Sequence, residues 1–116
     1  MNTDKLIDIA VGVAREKKGD NIVKLDMRGL SSIADFFLFC SGDNARQVKA
    51  IVEAISVELK KRGRRAKRIE GLPESRWVIM DYGDILIHVF IKEAREFYSL
   101  ETLWGDAPQF IFPEEK

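Results

Sequence analysis

The segment from Arg76 to Ile91 constrains the fold more than any other part of this chain. It reads Arg76-Trp77-Val78-Ile79-Met80-Asp81-Tyr82-Gly83-Asp84-Ile85-Leu86-Ile87-His88-Val89-Phe90-Ile91, two strand-like runs around one glycine. Side chains in a strand alternate between faces. With Tyr82-Gly83 as a two-residue hairpin loop, Asp81 stands opposite Asp84, Met80 opposite Ile85, Ile79 opposite Leu86, Val78 opposite Ile87 and Trp77 opposite His88. One face then collects Val78, Met80, Ile85, Ile87, Val89 and Ile91, an apolar set fit for a core. The other collects Trp77, Ile79, Asp81, Asp84, Leu86, His88 and Phe90. A slip of one residue would exchange the two faces, and the clean apolar set argues against it. Tyr82 suits the first position of a type I′ loop poorly, so a slightly longer connection is an alternative.

The rest of the chain supplies what this hairpin packs against. Leu6, Ile7, Ala10, Val13 and Ala14 recur at helical spacing after Thr3, a capping residue, and Lys17-Lys18-Gly19 is a stop signal. Ile22 to Leu25 is a short strand. Phe36 to Cys40 is a continuous apolar run, which predicts a strand buried on both faces. Ser41-Gly42-Asp43-Asn44 opens the longest helix, with Val48, Ile51, Val52, Ile55 and Leu59 on its inner face and Gly63 beyond its end. Arg65 to Ile69 reads as an edge strand whose charges discourage aggregation. Lys92 to Trp104 reads as one or two short helical stretches. The order α-β-β-α-β-β-β-α predicts an α/β chain in the mixed, α+β sense, with a sheet of about five strands flanked by helices. At 116 residues it is expected to be one domain, over residues 1–107, with a flexible tail over 108–116.

Charge and cysteine content narrow the function classes. Nineteen basic residues balance 19 acidic ones, so there is no bulk attraction to nucleic acid or membranes. Cys40 is the only cysteine, which excludes an internal disulfide and fits a reducing compartment. No apolar run approaches the roughly 20 residues of a membrane span, and the N-terminus carries no export signal pattern. A soluble cytoplasmic protein with no membrane partner is expected.

Four constellations bear on chemistry. Trp77 and His88 form either a stabilising cross-strand pair or part of a partner-binding face, since tryptophan is enriched at interface hot spots. No nucleophile and base accompany His88, and with Cys40 alone it falls short of a zinc site. Asp81 and Asp84 could hold magnesium for phosphate chemistry, but aspartate beside a glycine turn is the simpler account. Lys60, Lys61, Arg62, Arg64, Arg65, Lys67 and Arg68 form a basic run, either a solvated helix end or a contact for RNA phosphates through Lys60, Lys61, Arg64 and Arg65. No aromatic side chains interleave with them, so base stacking is not indicated. Ser31, Ser32 and Ser41 fit no nucleophile elbow, and Cys40 reads as packing. No catalytic residue, metal site or cofactor is expected.

Three blocks of this sequence, taken together, resemble the ribosomal silencing factor family, also called the Iojap or YbeB-like proteins. They are Asp26-Met27-Arg28-Gly29-Leu30-Ser31-Ser32-Ile33-Ala34-Asp35; Cys40-Ser41-Gly42 followed by Arg46-Gln47-Val48; and Trp77 through Val89, continuing through Arg95, Tyr98, Leu100-Glu101 and Leu103-Trp104. The resemblance covers about residues 4 to 107. Leu30 stands where the family usually has lysine, and Gln47 where it often has histidine. The resemblance implies a non-enzymatic translation regulator with a nucleotidyltransferase-like fold that has no transferase chemistry. It implies docking on the large ribosomal subunit through its protein number fourteen, steric block of subunit joining, and in some members a homodimer. On that basis Trp77, Asp84, His88, Tyr98, Glu101 and Trp104 are expected near the docking surface. Two alternatives remain: a metal-dependent nucleotidyl transferase, and a direct rRNA-binding assembly factor.

Overall fold

A computed structural model describes residues 2–98 and 107–113, the side chains of 96–98 excepted. Among the described residues nine elements follow in chain order: α1 (Thr3–Glu16), β1 (Asp20–Asp26), β2 (Phe36–Gly42), α2 (Ala45–Lys61), β3 (Arg68–Glu70), β4 (Trp77–Asp81), β5 (Ile85–Ile91), α3 (Lys92–Tyr98) and β6 (Gln109–Phe112). Both long helices begin at an asparagine cap. The Asn2 side chain accepts from the Lys5 backbone N–H and that of Asn44 from Gln47, each satisfying a donor that the first helical turn leaves open. The cap of α1 is therefore Asn2 rather than Thr3.

The six strands form one mixed sheet in the order β3-β4-β5-β2-β1-β6. Four of the five pairings are antiparallel, and the central β2–β5 pairing is parallel. A parallel pair needs a long crossover, and here α2, β3 and β4 supply it. The sheet has one strand more than the sequence pattern indicates. The extra strand, β6, lies in the segment expected to be a loose tail, and pairs with β1 from Ile22↔Phe112 to Leu25↔Gln109. Its residues carry no alternating burial signal, and Phe110 and Ile111 remain 52% and 71% exposed.

Helices cover both sides of the sheet. On one side Cys40 of β2 meets the α1–α2 layer: a Cβ placed on Gly19 would stand 2.6 Å from Cys40 Sγ and 3.2 Å from Ile51 Cδ1. Val78, Met80, Ile85, Ile87 and Val89 share that side and are essentially fully buried against Leu6, Ile7, Val48, Ile51, Ile55 and Leu59. Each such aliphatic side chain contributes on the order of 1.5–3 kcal/mol by leaving water. On the other side α3 places Arg95 above Phe39 and Phe90, with its guanidinium 5.9 and 5.8 Å from the ring centroids. All seven residues of β2 are buried, as expected of a strand covered on both faces. Among the described residues, no helix is long and apolar enough to cross a membrane.

The hairpin departs from expectation in register but not in its faces. Observed partners are Trp77↔Phe90, Val78↔Val89, Ile79↔His88, Met80↔Ile87 and Asp81↔Leu86. Tyr82 belongs to the ladder, donating its N–H to the Ile85 carbonyl at 3.0 Å, so the loop is Gly83-Asp84. Gly83 has φ +89° while Asp84 has no positive φ. A positive φ at the first loop residue alone is what a type II′ connection demands, and glycine meets it without strain. The register thus moves by two residues, and because strands alternate with period two, every paired side chain keeps its face, while Asp84 passes from the expected ladder into the loop.

Candidate docking face

Trp77 sits at the start of β4 and, through the observed register, lies diagonal to His88 and opposite Phe90. Its indole Nε1–H donates to His88 Nδ1 at 3.2 Å, and the two rings stack with centroids 6.1 Å apart. The parallel β2–β5 pairing brings Phe37 and Phe39 to the same side, with centroids 5.2 and 5.0 Å from the imidazole. Phe90 closes the group at 6.1 Å from His88 and 5.7 Å from Phe39. His88 is therefore the hub of a five-ring cluster, and such ring pairs contribute about 0.5–1.5 kcal/mol beyond their buried area.

Burial explains the protonation of this hub. His88 is 4% exposed, and desolvation pushes its pKa down to about 4, because a charged imidazolium is disfavoured in an apolar setting. The ring is neutral at pH 7. With Nδ1 accepting from Trp77, the proton resides on Nε2, which is buried and has no hydrogen-bond partner among the described residues. Among the described residues this neutral, buried ring is surrounded by aromatic side chains. It fixes the indole that stacks on it.

Exposure grades across the face. Phe39, Phe90 and His88 are buried, whereas Trp77, Ile79, Asp81 and Leu86 are only half-buried. The accessible part is thus an apolar strip with Trp77 at one end and the hairpin turn at the other. His88 lies behind it.

Both turn aspartates are engaged by protein donors. Asp81 Oδ1 accepts the Gly83 N–H at 2.8 Å, and Arg68 stands 3.7 Å from its other oxygen. Asp84 Oδ1 accepts from Arg64 and Oδ2 from Thr3, both at 2.8 Å. Arg64 also donates to the Tyr82 carbonyl at 2.9 Å. Burial raises the Asp84 pKa, but the hydrogen bonds from Arg64 and Thr3 outweigh it and hold the carboxyl below its usual value. Asp84 is a clamp joining the hairpin turn, the start of α1 and the end of α2. Asp81 lies in the ladder before the turn and Asp84 within it, and each carboxylate is held by different donors, which disfavours the magnesium reading.

Of the remaining sequence-nominated residues, Lys60, Lys61 and Arg65 are exposed, and Arg64 is drawn into the Asp84 clamp and half-buried. Tyr98 closes α3, with its side chain outside the described residues, as are Glu101 and Trp104 entirely. Cys40 is buried, and desolvation raises its pKa to about 12, so it remains an inert thiol. Phe37, Phe39 and Arg95 also belong to the aromatic face, where the sequence pattern alone does not place them. Alternation along Phe36–Cys40 puts Phe37 and Phe39 on one side, but only the parallel pairing with β5 shows that this is the side of His88. Arg95 is 7% exposed and donates to the Ser41 hydroxyl at 2.7 Å and to the Asn21 carbonyl at 2.5 Å, locking α3 onto the ends of β1 and β2.

Known proteins resemble this chain over nearly its whole length. Residues 1–116 match the family model described as ribosomal silencing factor during starvation. A ribosomal silencing factor of Halalkalibacterium halodurans is 44% identical over 93% of this chain and 92% of its own length. A crystal structure of a Chromobacterium violaceum protein superimposes with a TM-score of 0.87 at 32% identity, covering 100% of this chain and 98% of that one. The mouse protein named mitochondrial assembly of ribosomal large subunit protein 1 is 31% identical over 84% of this chain, which spans 44% of its length.

Proposed function

We propose, from the premise that this chain belongs to the ribosomal silencing factor family, that it represses translation by docking on the large ribosomal subunit and keeping the small subunit from joining. The ribosome is the partner in the relatives' names, and the large subunit is the partner in that of the mouse relative. The docking site proposed on that subunit is its protein number fourteen.

The observation that carries this reading is the half-open strip of Trp77, Ile79 and Leu86 on a rigid sheet. A steric blocker needs no bond-making. It needs a surface whose shape does not change on contact and an anchor that gains by leaving water. Trp77 supplies the anchor, since tryptophans in well-packed interfaces commonly carry 2 kcal/mol or more of binding energy. Its indole is already oriented by His88 and Phe90, so little rotamer freedom is left to lose on binding. Asp84 contributes by bracing the turn at the far end of the strip. Tyr98, Glu101 and Trp104 complete the proposed surface by analogy with the family.

Sedimentation of purified subunits through a sucrose gradient tests the proposal. With the protein in excess at magnesium concentrations that favour joining, separate large and small subunits are expected, with the protein on the large one. Normal formation of joined ribosomes under those conditions would overturn it.

A further inference from the structure

The structure sorts the basic run at the end of α2 into two classes. Between Glu58 and Glu70 the chain carries seven cations and no acidic residue. Three of the seven are paired: Arg62 with Glu58, Arg64 with Asp84, and Arg68 with Asp81 and Glu70. Lys60, Lys61, Arg65 and Lys67 are exposed and lack any ion-pair partner among the described residues.

Backbone geometry gathers these four at one corner. The Arg64 N–H bonds back to the Leu59 carbonyl at 2.8 Å, folding the chain over the last turn of α2. The Lys67 N–H bonds to the Asp81 carbonyl at 2.7 Å, which sets Lys67 beside the hairpin turn. Its ammonium lies 3.1 Å from where a Cβ on Gly83 would be. The corner therefore adjoins the Gly83 end of the proposed docking strip.

We propose that Lys60, Lys61, Arg65 and Lys67 form a second contact, for the phosphate backbone of ribosomal RNA beside the protein-docking strip; this rests on the large-subunit reading above. Favourable interaction with the α2 dipole accounts for Lys60 and Lys61, but not for Arg65 and Lys67, which lie beyond the helix. Edge protection of β3 is met by the charges of Arg68 and Glu70. An unpaired excess of positive charge is stabilised by a polyanion. With no aromatic side chain between these cations, the contact reads phosphates and leaves base sequence unread. The chain's neutral total confines the attraction to this corner.

The test compares the intact protein with the fourfold variant Lys60→Gln, Lys61→Gln, Arg65→Gln and Lys67→Gln. Binding to purified large subunits and to a synthetic RNA hairpin duplex is measured from 50 to 200 mM KCl. At about −0.9 per phosphate for a duplex, four phosphate contacts predict a log–log salt slope of about −3.6, and so an affinity loss of about 150-fold across that range. The variant is expected to show a slope near zero on both probes. Trp77→Ala separates the two readings: it should lower affinity for the subunit and leave binding to the duplex unchanged. Duplex binding that disappears in the fourfold variant, without subunit binding by either protein, would remove the docking proposal and the ribosomal setting of this contact, and uphold the corner only as a phosphate-binding site. A salt slope unchanged in the variant, or no duplex binding by the wild type, would overturn it.

Discussion

The two faces of β5 are built by different rules, although they share one backbone. Ile85, Ile87, Val89 and Ile91 face α1 and α2 and are buried through aliphatic packing alone. Leu86, His88 and Phe90 face the other way, where order comes from ring stacking, one indole–imidazole hydrogen bond and the guanidinium of Arg95. The first face is a core and tolerates nothing polar. The second holds a polar ring without exposing it, and leaves its outer neighbours Trp77, Ile79 and Leu86 only partly buried. Burial alone would have produced two similar faces. A polar hub beneath a half-exposed tryptophan instead gives a surface that is stiff before it meets a partner.

Substitutions should separate the two faces. Ile87→Ala on the covered face should cost about 2–5 kcal/mol in urea unfolding at pH 7, because the cavity cannot collapse between two layers. A loss below 1 kcal/mol would show that the α1–α2 layer is looser than described.

Acid should act on the aromatic face. The folded-state pKa of His88 is depressed to about 4, so between that value and its usual one near 6.5 the unfolded chain binds more protons than the folded one. Stability from this group is complete above pH 6.5 and declines as pH falls toward 4, by about 3 kcal/mol. His88→Gln, which cannot titrate, should flatten the profile in that window. Asp84 acts lower. Its depressed pKa means that the stability it adds is present above about pH 4 and lost as pH falls further, so the two residues separate on one curve.

The clamp at the hairpin turn should have a smaller effect. Asp84→Ala removes two hydrogen bonds to an ionised carboxylate, one of them an ion pair, from a partly exposed site, and about 1–2 kcal/mol is expected in the same unfolding assay. The exposed corner should matter least for folding. The fourfold glutamine variant of Lys60, Lys61, Arg65 and Lys67 should unfold within about 0.5 kcal/mol of wild type. A larger shift would mean that these cations serve the fold after all.

Much of this contrast is legible in the sequence, and the misses have physical causes. The face assignment of the paired hairpin residues follows from alternation and holds in the structure, because alternation is insensitive to a register shift of two; Asp84, in the loop, instead turns to Thr3 and Arg64. The register itself does not follow. Tyr-Gly and Gly-Asp are both admissible two-residue loops, and the choice depends on Tyr82 joining the ladder at the Ile85 carbonyl. Turn chemistry accounts for the Asp81 carboxylate, which accepts the Gly83 N–H, whereas the grip of Asp84 on Thr3 and Arg64 spans 81 and 20 residues and leaves no local trace. Phe37 and Phe39 were recognised as buried and not as neighbours of His88, since that depends on the parallel pairing at the centre of the sheet. The strand β6 was missed because Gln109–Phe112 is four residues long and mostly exposed, and is held by backbone pairing to β1 more than by side-chain burial.

The central claim is that the half-exposed indole on the aromatic face serves binding more than folding. The direct test is Trp77→Ala, measured in parallel for urea unfolding and for equilibrium binding to purified large subunits. The account predicts a stability loss of about 1–2 kcal/mol and a fall in affinity of about 30-fold or more, corresponding to at least ~2 kcal/mol. Affinity within about twofold of wild type, for a variant that remains folded, would contradict it.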